Sequence, residues 1–447
     1  MEEKNTDEIQ MMRKTRIINI WSARVFFAVF FAAAVFSLAL PLRPTYSNSE
    51  KRELEKFPKF SAGQLVSGQY FAKINLWFSD TFPFRDFLVD FNTKIHTLFG
   101  YTATQIHGDV EEGDEIPDAS PPAEPSQTPE SSDPTPAEPV PAEPPAPVTQ
   151  TLGALLIHGD TAYEYYNFVQ SVADNYAGVI SRAGDMMADR AAVYDIVVPN
   201  SMGITAPDEI TAGINTSDQR KAIDYMYSRM SANVRTVGVF DALKARREEY
   251  LYFRTDHHWT ALGAYYTYCE LMNKKGIPPL PLESYTPMEF PGYLGTFYSE
   301  SGKLPQLEAR PDSVFAYMPT QTNIIHTIVK GGGAADYPIV SDVSASPYKY
   351  LTFIRGDHPF GTIQNPALSD GSACIVVKES YGNAMIPFLV PHYQYIYVVD
   401  YRYFSTVDER GLVQLRDETG AQDIIFVNNI SATRSKSLVA AMDALTR

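Results

Sequence analysis

Cysteine is nearly absent: Cys269 and Cys374 are the only two in 447 residues. Two are too few for a disulfide framework. Cys269 falls on an expected helix and Cys374 in an apolar strand, so buried free thiols are expected. The chain also lacks Cys-x-x-Cys and His-x-x-x-His spacings. Its one adjacent histidine pair, His257-His258, would rarely aim both rings at a single ion, so neither metal nor cofactor is expected. An excess of positive charge is missing as well. The formal net charge of −16 argues against nucleic acid or an anionic membrane surface as the main partner. That excess is local, because residues 109–150 hold eleven Asp or Glu and no Lys or Arg.

Long apolar runs are scarce too, and one stands out. Residues 25–42 (VFFAVFFAAAVFSLALPL) are apolar apart from Ser37 and end at Arg43. Eighteen residues lie at the short end of what a membrane helix needs. Arg13, Lys14, Arg16 and Arg24 precede the run and place residues 1–24 in the cytoplasm by the positive-inside rule. The alternative is a cleaved signal peptide. The run is longer than a usual signal core and no Ala-x-Ala site closes it, which favours an uncleaved single-pass anchor with the rest of the chain extracytoplasmic.

What is present divides the remainder. Residues 43–108 contain apolar positions at helical spacing (Phe71, Ile74, Phe78; then Phe87, Leu88, Phe91, Ile95, Leu98), with Asp80–Asp86 and its Pro83 as the break between two helices. Residues 109–150 hold twelve prolines among Glu, Ala, Ser and Thr, a composition that predicts a disordered or polyproline-like insertion. Short strands are expected on both sides of it, at 102–107 and 151–158. From 151 to 447 the pattern is α/β: strands near 193–199, 373–378, 395–399 and 423–427, and helices near 218–232 and 260–275. Residues 276–365, rich in Pro, Gly and Tyr, read as irregular strands and loops.

The chemistry concentrates in Thr255-Asp256-His257-His258-Trp259-Thr260. An Asp-x-His pair puts a carboxylate within reach of an imidazole, where it fixes the tautomer and stabilises the imidazolium. The candidate nucleophile lies downstream. In the run 373–384 an apolar strand ends in Lys378-Glu379-Ser380-Tyr381-Gly382-Asn383, and a serine at such a turn exposes its Oγ beside backbone N–H donors.

The run Tyr252-Phe253-Arg254-Thr255-Asp256-His257-His258-Trp259-Thr260, continuing Gly263-Ala264-Tyr265-Tyr266, resembles the signature of the DHHW protein family. The phrase Asp80-Thr81-Phe82-Pro83-Phe84-Arg85-Asp86 is also similar to it. That family in turn resembles the SGNH-hydrolase-like O-acetyltransferases of polysaccharide export, such as the alginate O-acetylation proteins. The resemblance implies an α/β, circularly permuted SGNH-hydrolase-like (flavodoxin-like) three-layer sandwich with a parallel sheet. Motif order agrees, since the strand at 193–199 and the Asp-His element precede the Ser380 strand.

The implied triad is Ser380, His258 and Asp256. Gly382, Asn428 and Asn429 are the candidate oxyanion donors. Tyr381, Arg402, Trp259 and His257 are the candidate substrate contacts, each with an alternative: Tyr381 shaping the pocket, Arg402 paired with Asp400, Trp259 packed under the motif, His257 supporting from outside the triad. The implied activity is O-acetyl transfer to a cell-surface or exported polysaccharide. A membrane-bound O-acyltransferase would be the partner that supplies acetyl groups. A carbohydrate acetylesterase of the same fold and a catalytically silent glycan-binding scaffold are the other readings.

Overall fold

The computed structural model describes residues 24, 43–47, 52–60, 69–84, 87, 104–119 and 153–446. The expected membrane segment, 25–42, lies outside them. No helix among the described residues is long and apolar enough to cross a membrane. The chain divides into two units, Met1–Tyr101 and Thr102–Arg447. In the first, strands β1 (Tyr46–Ser47) and β2 (Arg52–Glu53) pair antiparallel. A helix spans Gln69–Asp80 and carries Phe71, Ile74 and Phe78. It ends where the break was expected, and Arg43 locks that end: its guanidinium lies 4.2 Å from the Trp77 ring centre and donates to Thr81 Oγ1 at 2.7 Å. The second expected helix falls, apart from residue 87, outside the described residues.

In the second unit β3 (Thr104–His107), β4 (Leu155–His158) and β5 (Thr161–Glu164) form an antiparallel sheet. β3 pairs directly with β4, so the acidic Pro-rich segment leaves between two neighbouring strands. Its first part departs from the disorder expected of 109–150. Residues 109–119 have no regular secondary structure but run against the domain, the Asp114 N–H donating to the Phe168 carbonyl at 2.8 Å. The physical reason is a capping need. The helix Gln170–Met187 begins after Val169, whose side chain has no oxygen to offer, and Asp114 Oδ2 accepts from Gln170 N at 2.8 Å instead. A carboxylate there meets both the unpaired N–H and the positive end of the helix dipole.

The main sheet uses β6 (Ala192–Val198), β7 (Val234–Thr236), β10 (Ile324–Ile328), β11 (Ala334–Pro338), β12 (Phe360–Gln364), β13 (Ala373–Lys378), β14 (Tyr395–Asp400) and β15 (Asp423–Asn429), while β8 (Thr286–Tyr293) and β9 (Asp312–Met318) form a separate hairpin. The spatial order is β11-β10-β12-β14-β13-β15-β6-β7. Strands β14, β13, β15, β6 and β7 are mutually parallel. Counted from β13, they take the doubly wound order 2-1-3-4-5, with the fourth and fifth strands supplied from earlier in the chain. The expected parallel sheet is corrected to a mixed one, because β12, β10 and β11 add antiparallel to β14. β13 is buried at every position, as a two-face-covered parallel strand should be, whereas β12 alternates and β11 is largely exposed.

Both faces of the sheet are covered. Tyr194, Ile196, Val376, Val398 and Val427 pack on one side with the helix Ala261–Lys275 and the β8–β9 hairpin. Val193, Val197, Ile375, Val377 and Phe426 pack on the other with the helices Gln170–Met187, Gln219–Ser228, Leu412–Thr419 and Lys436–Leu445. Alternation along each strand therefore feeds two separate apolar layers, and the C-terminal ends of the parallel strands are left as the place for a site.

Candidate active site

Ser380 follows β13 directly and opens a short 3₁₀ turn, Ser380–Ala384. The preceding Glu379 caps that turn by accepting from Tyr381 N at 3.0 Å. The turn folds back on its own strand, so a Cβ on Gly382 would come within 2.5 Å of Lys378 Cβ. Only glycine fits there, and the small residue after the serine has a packing reason.

The histidine comes from a loop held at its base by pairing of Tyr252 with Trp259. Asp312 on β9, fully buried, fixes the approach. It accepts from Thr255 N (2.8 Å), Thr255 Oγ1 (2.6 Å), Arg254 N (3.1 Å) and the Tyr250 hydroxyl. Thr260 then caps the helix Ala261–Lys275. Between these anchors Asp256 folds back on His258. Its Oδ1 accepts from His258 N (2.9 Å) and lies 2.6 Å from Nδ1. His258 Nε2 lies 2.8 Å from Ser380 Oγ, across 122 residues of sequence. With the ring proton held on Nδ1 by Asp256, Nε2 is left to accept from the serine hydroxyl.

Asp256 Oδ2 is filled from the β8 side, by Tyr293 OH (2.8 Å), Thr296 N (2.7 Å) and Thr296 Oγ1 (2.9 Å). Burial pushes this carboxyl up, but the His258 and His257 rings and the Thr296 N–H outweigh burial and hold it well below the usual carboxylate range. Gly295 is what lets the donors approach, since a Cβ there would sit 2.3 Å from Asp256. The His258 ring is flanked by two others, Tyr350 stacked at 3.8 Å and His257 at 3.8 Å with a 37° tilt. Tyr350 also donates to the Ser380 carbonyl at 3.1 Å. Burial, reinforced by His258, lowers the His257 pKa to about 3.

The remaining candidates separate clearly. Trp259 and Tyr381 are fully buried; Trp259 Nε1 donates to the Tyr381 carbonyl at 2.9 Å and Tyr381 OH donates to the His257 carbonyl. They brace the loop against the serine turn and offer no surface to a substrate, so neither is a substrate contact and Trp259 takes its packing alternative. Arg402 takes the ion-pair alternative, two-pronged on Asp400 (2.9 and 2.7 Å) and 3.0 Å from Asp357. Gly382 N–H is engaged with the Glu379 carbonyl at 3.1 Å. Asn428 points to the opposite face of the sheet, its Nδ2 3.4 Å from Tyr176 OH, so it is removed from the oxyanion candidates. Asn429 stays at the site end of β15: its Oδ1 caps Ser431 N at 2.7 Å and its Nδ2 has no hydrogen-bond partner.

Asp256, His257 and His258 have potential ligand atoms within 4.8 Å of one another. Both nitrogens of His258 already face Asp256 and Ser380, so an ion there would have to displace the relay. Cys269 and Cys374 are free. Five residues of this constellation were not singled out from sequence: Glu379, Tyr293, Thr296, Tyr350 and Asp312. Only Glu379 had an available signal, its adjacency to Ser380; the others come from 276–365, where no motif marks them.

A family model described as DHHW protein matches residues 50–124 and 132–399. No curated protein matches the chain. Among solved structures, a DHHW family protein from Eubacterium siraeum DSM 15702 is 25% identical with a TM-score of 0.57, over 67% of this chain and 98% of that one. Bacillus cereus PatB1 is 18% identical with a TM-score of 0.54, over 64% and 98%, and has also been solved with a sulfonyl adduct. The O-acetyltransferase domain of Pseudomonas putida AlgJ is 10% identical with a TM-score of 0.32, over 64% and 96%.

Proposed function

The chain belongs to the DHHW family, and from that membership and the Asp256–His258–Ser380 relay we propose a membrane-anchored, extracytoplasmic O-acetyltransferase acting on a cell-surface or exported polysaccharide. The fold is read as a circularly permuted SGNH-like sandwich extending over 151–447 with 43–108 as its N-terminal part. One observation carries the reading: Ser380 Oγ, His258 and Asp256 are joined by contacts of 2.8 and 2.6 Å, within the reach that nucleophile activation needs.

In this reading Ser380 Oγ attacks the acetyl carbonyl while its proton passes to His258 Nε2. Asp256, kept ionised, stabilises the imidazolium. Collapse of the tetrahedral intermediate expels the donor's oxygen, which takes the proton from His258, and leaves acetyl-Ser380. A sugar hydroxyl then attacks, gives its proton to His258, and leaves as the acetyl ester as Oγ is reprotonated. Asn429 Nδ2 is the side-chain donor proposed for the oxyanion; one such donor contributes about 2.7–4 kcal/mol. A catalytically silent scaffold would have no use for so short a relay. Acetyl groups outside the cell would come from a membrane-bound O-acyltransferase partner.

The test is turnover of p-nitrophenyl acetate with intact-mass detection of the acetyl-enzyme. The expected result is acetylation of the wild type and loss of turnover by roughly 10³-fold or more in Ser380→Ala. Equal rates in both proteins would remove Ser380 as nucleophile. Faster release of acetyl to an oligosaccharide than to water marks a transferase; release to water alone marks an esterase.

A further inference from the structure

Glu379 is the one fully buried carboxylate among the described residues that touches the nucleophile. Its Oε2 lies 3.2 Å from Ser380 Oγ and accepts from Tyr381 N at 3.0 Å; its Oε1 accepts from Asn429 N at 2.9 Å. Glu379 therefore ties the C-terminal ends of β13 and β15 together directly beneath the serine. The two backbone N–H groups, one on each oxygen, are the donors an ionised carboxylate accepts. The serine hydroxyl has one proton and two acceptors in reach, His258 Nε2 and Glu379 Oε2. Those acceptors are both in contact with one oxygen, so they are no more than about 6 Å apart.

We propose that Glu379 is a second carboxylate of the catalytic relay, holding Ser380 Oγ between itself and His258 and strengthening His258 as the base from the side opposite in sequence to Asp256. When Oγ gives up its proton, the charge that appears on His258 faces negative carboxylates through both of its ring nitrogens. An opposite charge within about 4–6 Å favours the protonated imidazole measurably, so removing Glu379's charge weakens the base without removing it. This inference rests on the reading of Ser380 as a nucleophile.

The experiment uses phenylmethylsulfonyl fluoride as a probe, which needs no knowledge of the natural donor or acceptor. The Oγ–S bond forms, the S–F bond breaks, fluoride leaves and the proton goes to His258. The labelling rate is followed by intact mass between pH 4 and 9 for wild type, Glu379→Gln, Glu379→Asp and Ser380→Ala, with folding checked by circular dichroism. Glu379→Gln is expected to shift the midpoint of the pH–rate profile by about one unit to lower pH and slow labelling about tenfold at its plateau. Glu379→Asp keeps the charge and is expected to keep the wild-type midpoint even where its plateau rate falls. A folded Glu379→Gln with a profile superimposable on wild type overturns the proposal, as does a midpoint shift of the same size in Glu379→Asp. Labelling that survives in Ser380→Ala refutes the nucleophile itself, a different failure that takes this inference with it.

Discussion

His257 and His258 share a peptide bond and a tilted ring contact, yet their surroundings assign them opposite work. His258 exchanges contacts with Asp256 and Ser380, while the buried His257 Nδ1 has no hydrogen-bond partner. His258→Ala should therefore abolish turnover by roughly 10³-fold or more, whereas His257→Phe, which keeps a ring against His258, should stay within about tenfold. A dead, folded His257→Phe with an active His258→Ala would invert the relay. His257 also carries a pH signature. Its folded-state pKa is lowered from 6.5 to about 3, so below pH 6.5 the unfolded chain takes up a proton that the folded chain refuses. Stability is lost as pH falls through that window, by about 1.4 kcal/mol per pH unit from this group alone. Denaturant midpoints at pH 7 and pH 4.5 should lie closer together in His257→Phe than in wild type. Gly295 is the opposite sort of residue, needed for the space it leaves. Gly295→Ala puts a methyl into Asp256 and should cost on the order of 100-fold in turnover with little loss of secondary structure, read by kinetics beside circular dichroism.

Among the elements, β13 with its turn and the Asp-x-His loop could be read from the residues because each is local. Ala373–Lys378 is an unbroken apolar run closed by Ser-Tyr-Gly-Asn, and Thr260 with Gly276 marks both ends of one helix. The β8–β9 hairpin could not be read this way. Its contribution to the site, Tyr293 and Asp312, depends on a register that shifts between Pro291 and Tyr293, in a stretch where no alternation survives. Asp312 is the clearest case, a lone acid in sequence that gathers the Tyr250, Arg254 and Thr255 donors once β9 is in place. Asp312→Ala leaves those buried donors without their acceptor. It should lower stability by about 3 kcal/mol, measured by denaturant unfolding, and reduce turnover further by releasing the loop.

For the whole molecule, the two sides of the sheet respond differently to pH. On the side away from the relay, Asp195 on β6 is fully buried, and burial raises its pKa to about 7 against the opposing hydrogen bond from Tyr176 OH at 2.7 Å. The folded chain keeps a proton there that the unfolded chain releases above about pH 4, so stability falls as pH climbs from 4 to 7. Asp195→Asn should gain on the order of 3 kcal/mol over wild type at pH 8 and lose that advantage by pH 4, read from melting curves at the two pH values. The central strands at 193–199, 373–378, 395–399 and 423–427 were legible as apolar runs; the antiparallel extension β12-β10-β11 was not, since short half-exposed strands leave little periodic signal. The strand order has a consequence in time. β15 (Asp423–Asn429) lies between β13 and β6 and follows every other strand of that sheet in the chain, so the strand that joins the two halves is synthesised after both of them. Until it emerges, the segment bearing His258 and the segment bearing Ser380 belong to two sheets with bare edges. A chain stopped at residue 420 would hold every residue of the relay and still have no common sheet to bring them together.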